Sequence, residues 1–324
     1  MKKAGFLVVS TAVIGFVLIG IVAFGLFFFF APVSPTANYQ SFIVTKGDSL
    51  TSVAQKLTEN GLLRTPWSLR LLVKFSGQNA VIQPGTYKLS PTMGPREVLT
   101  TLLSETQDVW VTLKEGWRVE EMADELDGKL RDGFDKAEFI QLAKPVEGHL
   151  FPDTYLLSKD MTAPAVFAKL AGEFEEKYTE ASQEVTKPAF SKKDTVIVAS
   201  LVEREGRGQV DTSIVAGILK NRLDAGMPLQ VDATLQYASG YDQATQSWWS
   251  PPTSTDRQKD NAYNTYMHPG LPPTAICNPG LSSLKAALSP QLSDYLFYLH
   301  DSSGKAHYAK TFEEHKANIE AYLR

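Results

Sequence analysis

The segment Val196 to Gly206, VIVASLVEREG, ends an apolar helix in two carboxylates, Glu203 and Glu205. A carboxylate held against apolar surface resists ionising and can donate a proton near neutral pH. Residues two apart on a helix point to nearly opposite sides, so only one of the pair faces a cleft, and the residues alone leave open which. Downstream, Gln230, Asp232, Thr234 and Tyr237 fall on one loop-strand stretch. Tyr263, Asn264, Thr265 and Tyr266 make a polar-aromatic cluster. Asn278-Pro279-Gly280 is a turn signal. Glu147 and Asp153 lie in a structured loop, EGHLFPDTY, and Ser200 sits one turn before the helix end. Plainer roles compete with these: Asp232 as a cap, the tyrosines as core, and Glu203 as a helix end paired with Arg204 or Arg207.

Other chemistries find little footing. The five histidines, His149, His268, His300, His307 and His315, are scattered with no metal-ligand spacing, so no metal is expected. Ser200 lacks a Gly-x-Ser-x-Gly setting, and neither a P-loop nor GxGxxG occurs, so no cofactor is expected. A net charge of -4 gives no electrostatic footprint for nucleic acid. The single Cys277 excludes an intramolecular disulfide.

The elements that must position the acid divide the 324 residues into several parts. Gly5 to Val33 carries no charge and is long enough to span the roughly 30 Å hydrocarbon layer, so residues 5–33 are expected to form one transmembrane helix. Lys2 and Lys3 lie in a short cytoplasmic stub, residues 1–4, which by the positive-inside rule puts everything beyond the span outside. A Pro-rich tether, residues 34–40, leads to a small α+β module over 41–107. In it, Phe42 to Thr45 reads as a strand, Lys46-Gly47 as a turn, and Leu50, Val53, Ala54 and Leu57 as the buried face of a helix stopped at Asn60-Gly61. Thr65-Pro66 opens a second helix ended by Gly77, Tyr87 to Leu89 reads as a returning strand, and Arg96 to Leu103 as another helix. A weak repeat follows. Gly116, Val119, Met122, Ala123 and Leu126 each fall 69 residues after Gly47, Leu50, Val53, Ala54 and Leu57.

The remaining residues, 108–324, form a larger α+β domain that holds all the candidate chemistry. A helix is predicted from Pro164 to Tyr178, and Ser191 to Asp194 caps the helix that carries the two glutamates. Asp211 opens an amphipathic helix with Ile214, Val215, Ile218, Leu219 and Leu223 on its apolar side, stopped at Gly226. The stretch Tyr241 to Asp260 is polar and loop-like. Its Trp248-Trp249 pair can stack on a glycan or tuck back onto its own domain.

In order along the chain, EGxxFPDTY, ASLVEREG, NRLxxGMPLQVDATLQY, AYNTY, GLPP, NPG and SLKAALSP resemble the endolytic murein transglycosylases of the MltG/YceG-like family. The resemblance covers about Phe42 to Leu323 and is closest from Glu147 to Pro290; FIVTKGDSLTSVAQKL separately resembles the start of a LysM module. It implies a membrane-anchored enzyme that cuts nascent peptidoglycan strands outside the cytoplasmic membrane, in concert with penicillin-binding synthases. Glu205 would be the catalytic acid and, in turn, the base. Protonating the oxygen between N-acetylmuramic acid and N-acetylglucosamine and then deprotonating the muramic 6-hydroxyl gives a 1,6-anhydro end without a second carboxylate. Gln230, Asp232, Thr234, Tyr237, Tyr263, Asn264 and Asn278 would contact substrate, with Glu203, Ser200, Glu147 and Asp153 in support. The chain departs from the family at Gly206, where Thr is common, and at Val231, Ala233 and Thr274. Two other readings stand beside this one. A muramidase-type hydrolase would need a second carboxylate about 5 to 9.5 Å away, with Asp232 and Glu147 as candidates, and a non-catalytic glycan-binding scaffold would need no acid at all.

Overall fold

The structure, a computed structural model, describes residues 16–21, 24–25, 27–36, 38–45, 47–76, 82–104, 106–130, 133–206 and 209–323. The expected stub and much of the expected transmembrane span lie outside these residues, as do Lys46, Gly77 and Arg207. Residues 16–21, 24–25 and 27–30 are helical, with Phe16, Phe24 and Phe27 exposed; among the described residues no helix is long and apolar enough to cross a membrane. The chain divides into two compact units, 1–109 and 110–324.

In the first unit, strand Gln40–Val44 pairs antiparallel with Gly85–Leu89, Phe42 opposite Tyr87. Between them run helices Leu50–Glu59 and Pro66–Ser76, and Pro95–Leu103 follows. Ser49 caps the first helix by accepting from the Ser52 N–H, and Asn60 and Gly61 end it, Gly61 at φ 67° where only a residue without Cβ is unstrained. The inward faces, Phe42, Val44, Val53, Ala54, Leu57, Tyr87, Leu89, Val98 and Leu102, close one apolar core.

The second unit begins with the same local device. Strand Asp108–Thr112 leads through Gly116, at φ 76°, into helix Val119–Lys129, which buries Val119, Met122, Ala123 and Leu126. Gly47, at φ 93°, precedes the buried Val53, Ala54 and Leu57 in the same way, so the 69-residue repeat in sequence is a repeat of strand, left-handed glycine turn and helix. Strand Thr154–Ser158 pairs with Asp108–Thr112. Helices Lys136–Ala143, Ala163–Gln183, Lys192–Glu205, Gln209–Asp224, Asp232–Ser239 and Leu281–Leu288 build the main body, and a hairpin, Phe297–His300 with Ala306–Ala309, precedes the last helix, Phe312–Tyr322.

The reading of Gln230 to Tyr237 as a loop-strand element is corrected: Asp232–Ser239 is a helix. The alternation of Leu229, Val231, Ala233, Leu235 and Tyr237 mimics a strand, and all five are buried. But Thr234 is buried too, with its hydroxyl bound to the Val231 carbonyl at 2.7 Å, so this short helix is surrounded on most sides rather than half exposed. Periodicity loses its meaning where both faces are covered.

Candidate active site

The helix Lys192–Glu205 starts at Ser191, whose hydroxyl accepts from the Asp194 N–H, and every residue from Thr195 to Val202 is buried. Val196, Val198, Ala199, Leu201 and Val202 pack with Val215, Ala216 and Leu219 of the next helix and Leu284, Ala287 and Leu288 of the Leu281–Leu288 helix. The helix is thus the central rod of the unit, and its last turn is the first place where a charged side chain can escape. Gly206 ends it; a Cβ there would meet the Thr212 hydroxyl at 2.8 Å, so Thr212 holds the space a threonine at 206 would need.

The two glutamates part company as the helical geometry demands. Glu203 accepts from the Gly280 N–H at 2.9 Å, beside Glu115, whose carboxyl burial and the Glu203 charge push up. Glu205 instead enters a pocket of about 250 Å³ lined by Arg222, Leu229, Gln230, Asp232, Tyr266, Phe297, Tyr298, Phe312 and His315. The Tyr298 hydroxyl donates to Glu205 Oε2 at 3.0 Å. Burial pushes the Glu205 carboxyl above its ordinary range, with Asp232 adding to the effect; the bonds from Tyr298 and the Ala233 N–H and the proximity of His300 oppose it without reversing it. Burial and Glu205 together raise the Tyr298 phenol far enough to keep it a donor.

Asp232 is held differently. It accepts from the Tyr266 hydroxyl at 2.6 Å and sits 3.3 Å from an Arg257 nitrogen. Its place at the head of the Asp232–Ser239 helix is fixed from behind, where Thr265 accepts from the Val231 N–H and meets the Thr234 hydroxyl at 3.0 Å. Gln230, just before it, has φ 55°, a left-handed conformation that costs a side chain with Cβ energy and recurs at functional sites. Beneath Tyr298 on the same strand, His300 bonds Asp211 at 2.8 Å, and Tyr308 from the partner strand donates to the other Asp211 oxygen at 2.6 Å. The hairpin is thereby fastened to the Gln209–Asp224 helix, and Tyr298 is set at its height.

The pocket therefore offers two carboxyl groups, of which burial pushes Glu205 upward. The model of the YceG-like family matches residues 42–321. The chain belongs to the YceG-like family. It is 29% identical to the endolytic murein transglycosylase of Bacillus subtilis, over 86% of this chain and 84% of that one. It is 23% identical to the endolytic murein transglycosylase of Streptococcus pneumoniae D39, over 89% of this chain and 59% of the pneumococcal protein. Among solved structures, a yceG-like protein from Listeria monocytogenes matches with a TM-score of 0.56 at 26% identity, covering 87% of this chain and 99% of that one.

The YceG-like motifs do not all meet at the pocket. Glu205, Gln230 and Asp232 do. Tyr266, which had been grouped with Tyr263 and Asn264, lines it as well, whereas those two do not. Tyr263 bonds the Thr274 hydroxyl at 2.8 Å, and the buried Asn264 spends its amide on the Arg257 and Lys259 carbonyls. Thr234 is buried behind Asp232. Asn278 is saturated: its Oδ1 accepts from the Gly148 and Leu150 N–H groups, and its Nδ2 donates to the Trp117 carbonyl and Glu147. Glu147, 1% exposed, also accepts from the Val119 N–H, Lys144 and Tyr237. Asp153 is exposed on its loop, and Ser200 is buried, accepting from the Ile276 N–H. Trp248 and Trp249 tuck inward: Trp249 donates to Glu121 and packs under Arg204 at 3.8 Å, and Arg118 lies 4.5 Å over Trp248.

Sequence reasoning found the apolar helix that carries Glu205 but not the aromatic wall of the pocket, Phe297, Tyr298, Phe312 and His315, all from the last thirty residues. A short strand as aromatic as FYLH was the available signal. Arg222 lay within the quoted NRLxxG motif without being singled out.

Proposed function

We propose that this YceG-like chain is a membrane-anchored lytic transglycosylase of peptidoglycan with Glu205 as its acid and base. The observation that carries the reading is the Glu205 carboxyl, raised by burial, bound on one oxygen by Tyr298 and open to a pocket. Protonated Glu205 donates to the glycosidic oxygen as the bond to muramic C1 breaks. The carboxylate left behind is stabilised by the Tyr298 hydroxyl, and the charge on Asp232 favours the cationic sugar. Glu205 then takes the proton of the muramic 6-hydroxyl as that oxygen closes on C1, which restores the acid and leaves a 1,6-anhydro end.

Asp232 supports one competing reading, hydrolysis, because it is a second carboxylate in the same pocket. Glu147 supports none, since all its lone pairs are engaged by protein. The uncharged run from Gly5 to Val33 supports anchoring with the catalytic unit outside the membrane, close to nascent strands and their synthases. In the first unit the order strand, two helices, strand supports a LysM-like glycan contact.

The test is incubation of the full chain in detergent with uncrosslinked glycan strands, wild type beside Glu205→Gln, with products read by mass spectrometry. Internal fragments with 1,6-anhydromuramic ends are expected from wild type, reduced at least about 10³-fold in the variant at unchanged melting temperature. Reducing ends would replace the lytic reading by hydrolysis, and intact strands that stay bound would replace both by a scaffold.

A further inference from the structure

Glu205 and Asp232 share the pocket with Arg222 and His315. Arg222 is 7% exposed, and its hydrogen bonds go only to neutral oxygens: Nε to the Leu296 carbonyl at 2.6 Å, and Nη1 to the carbonyls of Leu229 at 2.7 Å and Pro228 at 3.3 Å and to Gln230 Oε1 at 3.4 Å. Among the described residues no carboxylate pairs with it, and its Nη2 has no protein acceptor. The guanidinium lies 5.0 Å from the centre of the Phe297 ring, on which His315 also stacks, at 5.3 Å. His315 Nδ1 is a buried polar atom with no hydrogen-bond partner.

A buried cation without a counter-ion and a buried ring nitrogen without a partner are each costly, and both lie on the wall of the pocket that holds the acid. We propose that Arg222 and His315 form a subsite for a carboxylate of the glycan substrate. One carboxylate oxygen would accept from Nη2 of Arg222, a charge-assisted bond, and the other from His315 in its Nδ1–H tautomer. A carboxylate held there beside Glu205 in the same pocket fixes how the strand lies across the acid.

The inference rests on the transglycosylase reading and names the part of the substrate that is gripped. In a glycan strand a carboxylate has two sources. A muramyl unit stripped of its peptide ends its lactyl ether in a free carboxylate; a unit bearing a stem peptide has an amide there and carries its carboxylates along and at the end of the stem. Glucosamine units have neither, so the subsite distinguishes the muramyl from the glucosaminyl position.

Three preparations of equal strand length separate these sources: stripped strands, stem-bearing strands, and stripped strands with the lactyl groups converted to methyl amides. Binding is measured with the full-length Glu205→Gln chain in detergent, and cleavage with wild type. The expected result is weaker binding and a raised KM, by about tenfold, for the methyl amide relative to whichever carboxylate-bearing strand is preferred, with kcat little changed. Preference for stripped strands assigns the lactyl carboxylate, and preference for stem-bearing strands a carboxylate of the stem. His315→Phe, which keeps the ring stack on Phe297, is expected to shrink the preference about threefold. Cleavage with equal KM on all three strands overturns the subsite. A binding preference with no cleavage of any strand leaves the subsite standing and overturns the transglycosylase reading.

Discussion

Glu205 and Glu147 are both carboxyls of the second unit that burial pushes upward, Glu147 to about 7. By that measure alone they are equals. Glu147 is surrounded by four donors, the Val119 N–H, Lys144, Tyr237 and Asn278, and is 1% exposed. Glu205 has Tyr298 and the Ala233 N–H on its carboxylate, and then open space. A perturbed carboxyl marks a functional site only when something is left for a substrate to do. The closed network instead ties Glu147, Asn278 and the Val119–Lys129 helix into one body.

The comparison breaks first at Glu147→Ala. Truncation leaves the Tyr237 hydroxyl and the Val119 N–H without their acceptor and takes one of two acceptors from Lys144, which keeps Glu120, and from the Asn278 amide, which keeps the Trp117 carbonyl, at a cost of about 3–5 kcal/mol. The melting temperature of the full chain is expected to fall by on the order of 10 °C, while activity per folded molecule is preserved. Loss of activity in a fold that melts normally would make Glu147 a member of the site.

A second effect is smaller and depends on pH. The folded Glu147 carboxyl titrates near 7, above its ordinary 4.5, so between those values the folded chain binds more protons than the unfolded one. Its contribution to stability is therefore fully present below 4.5 and is lost as pH rises through 7, by a few kcal/mol. Subtracting the pH-melting curve of Glu147→Gln from that of wild type isolates this group from the histidines. A difference that stays flat from pH 5 to 8 would mean that Lys144 holds Glu147 ionised throughout.

How far the site was legible follows from the same contrast. The acid helix announced itself because an uninterrupted apolar run must be buried, and a charged pair at its end must surface; Ser191 and Gly206 then fixed its limits. The repeated strand, glycine turn and helix was legible because each step is local. The Asp232–Ser239 helix was misread because covering on all sides erases period. Asn278 was read as a sugar contact because a loop amide looks free in sequence, and only the tertiary arrangement shows four groups of the protein using it. The Arg222 and His315 wall was missed for the opposite reason. Its members come from separate elements with no shared spacing, and the contact that joins them, the Phe297 ring, is long-range.

Tyr298→Phe tests the open side at about tenfold in kcat, since it removes a hydrogen bond that strengthens as Glu205 becomes a carboxylate. The direction of its pH effect is fixed. The Tyr298 bond favours the charged form of Glu205, so its loss raises the carboxyl further and moves the high-pH limb of the rate profile upward. A limb that stays in place would show that a group other than Glu205 sets it.

The smallest expected effect separates the two regions by backbone. Beside Glu147 the chain needs positive φ once and uses glycine for it, Gly148 at 91°. Beside Glu205 it places a residue with a side chain, Gln230, at 55°. Gln230→Gly relieves about 1 kcal/mol of strain and gives back part of it through the greater freedom of the unfolded chain, for a net gain near 0.5 kcal/mol. It also removes the amide oxygen 3.4 Å from Arg222, so a severalfold rise in KM should accompany the slightly higher melting temperature. Stability gained with KM unchanged would mean that the side chain at 230 contributes nothing to the pocket, and the strain would then be without a functional counterpart.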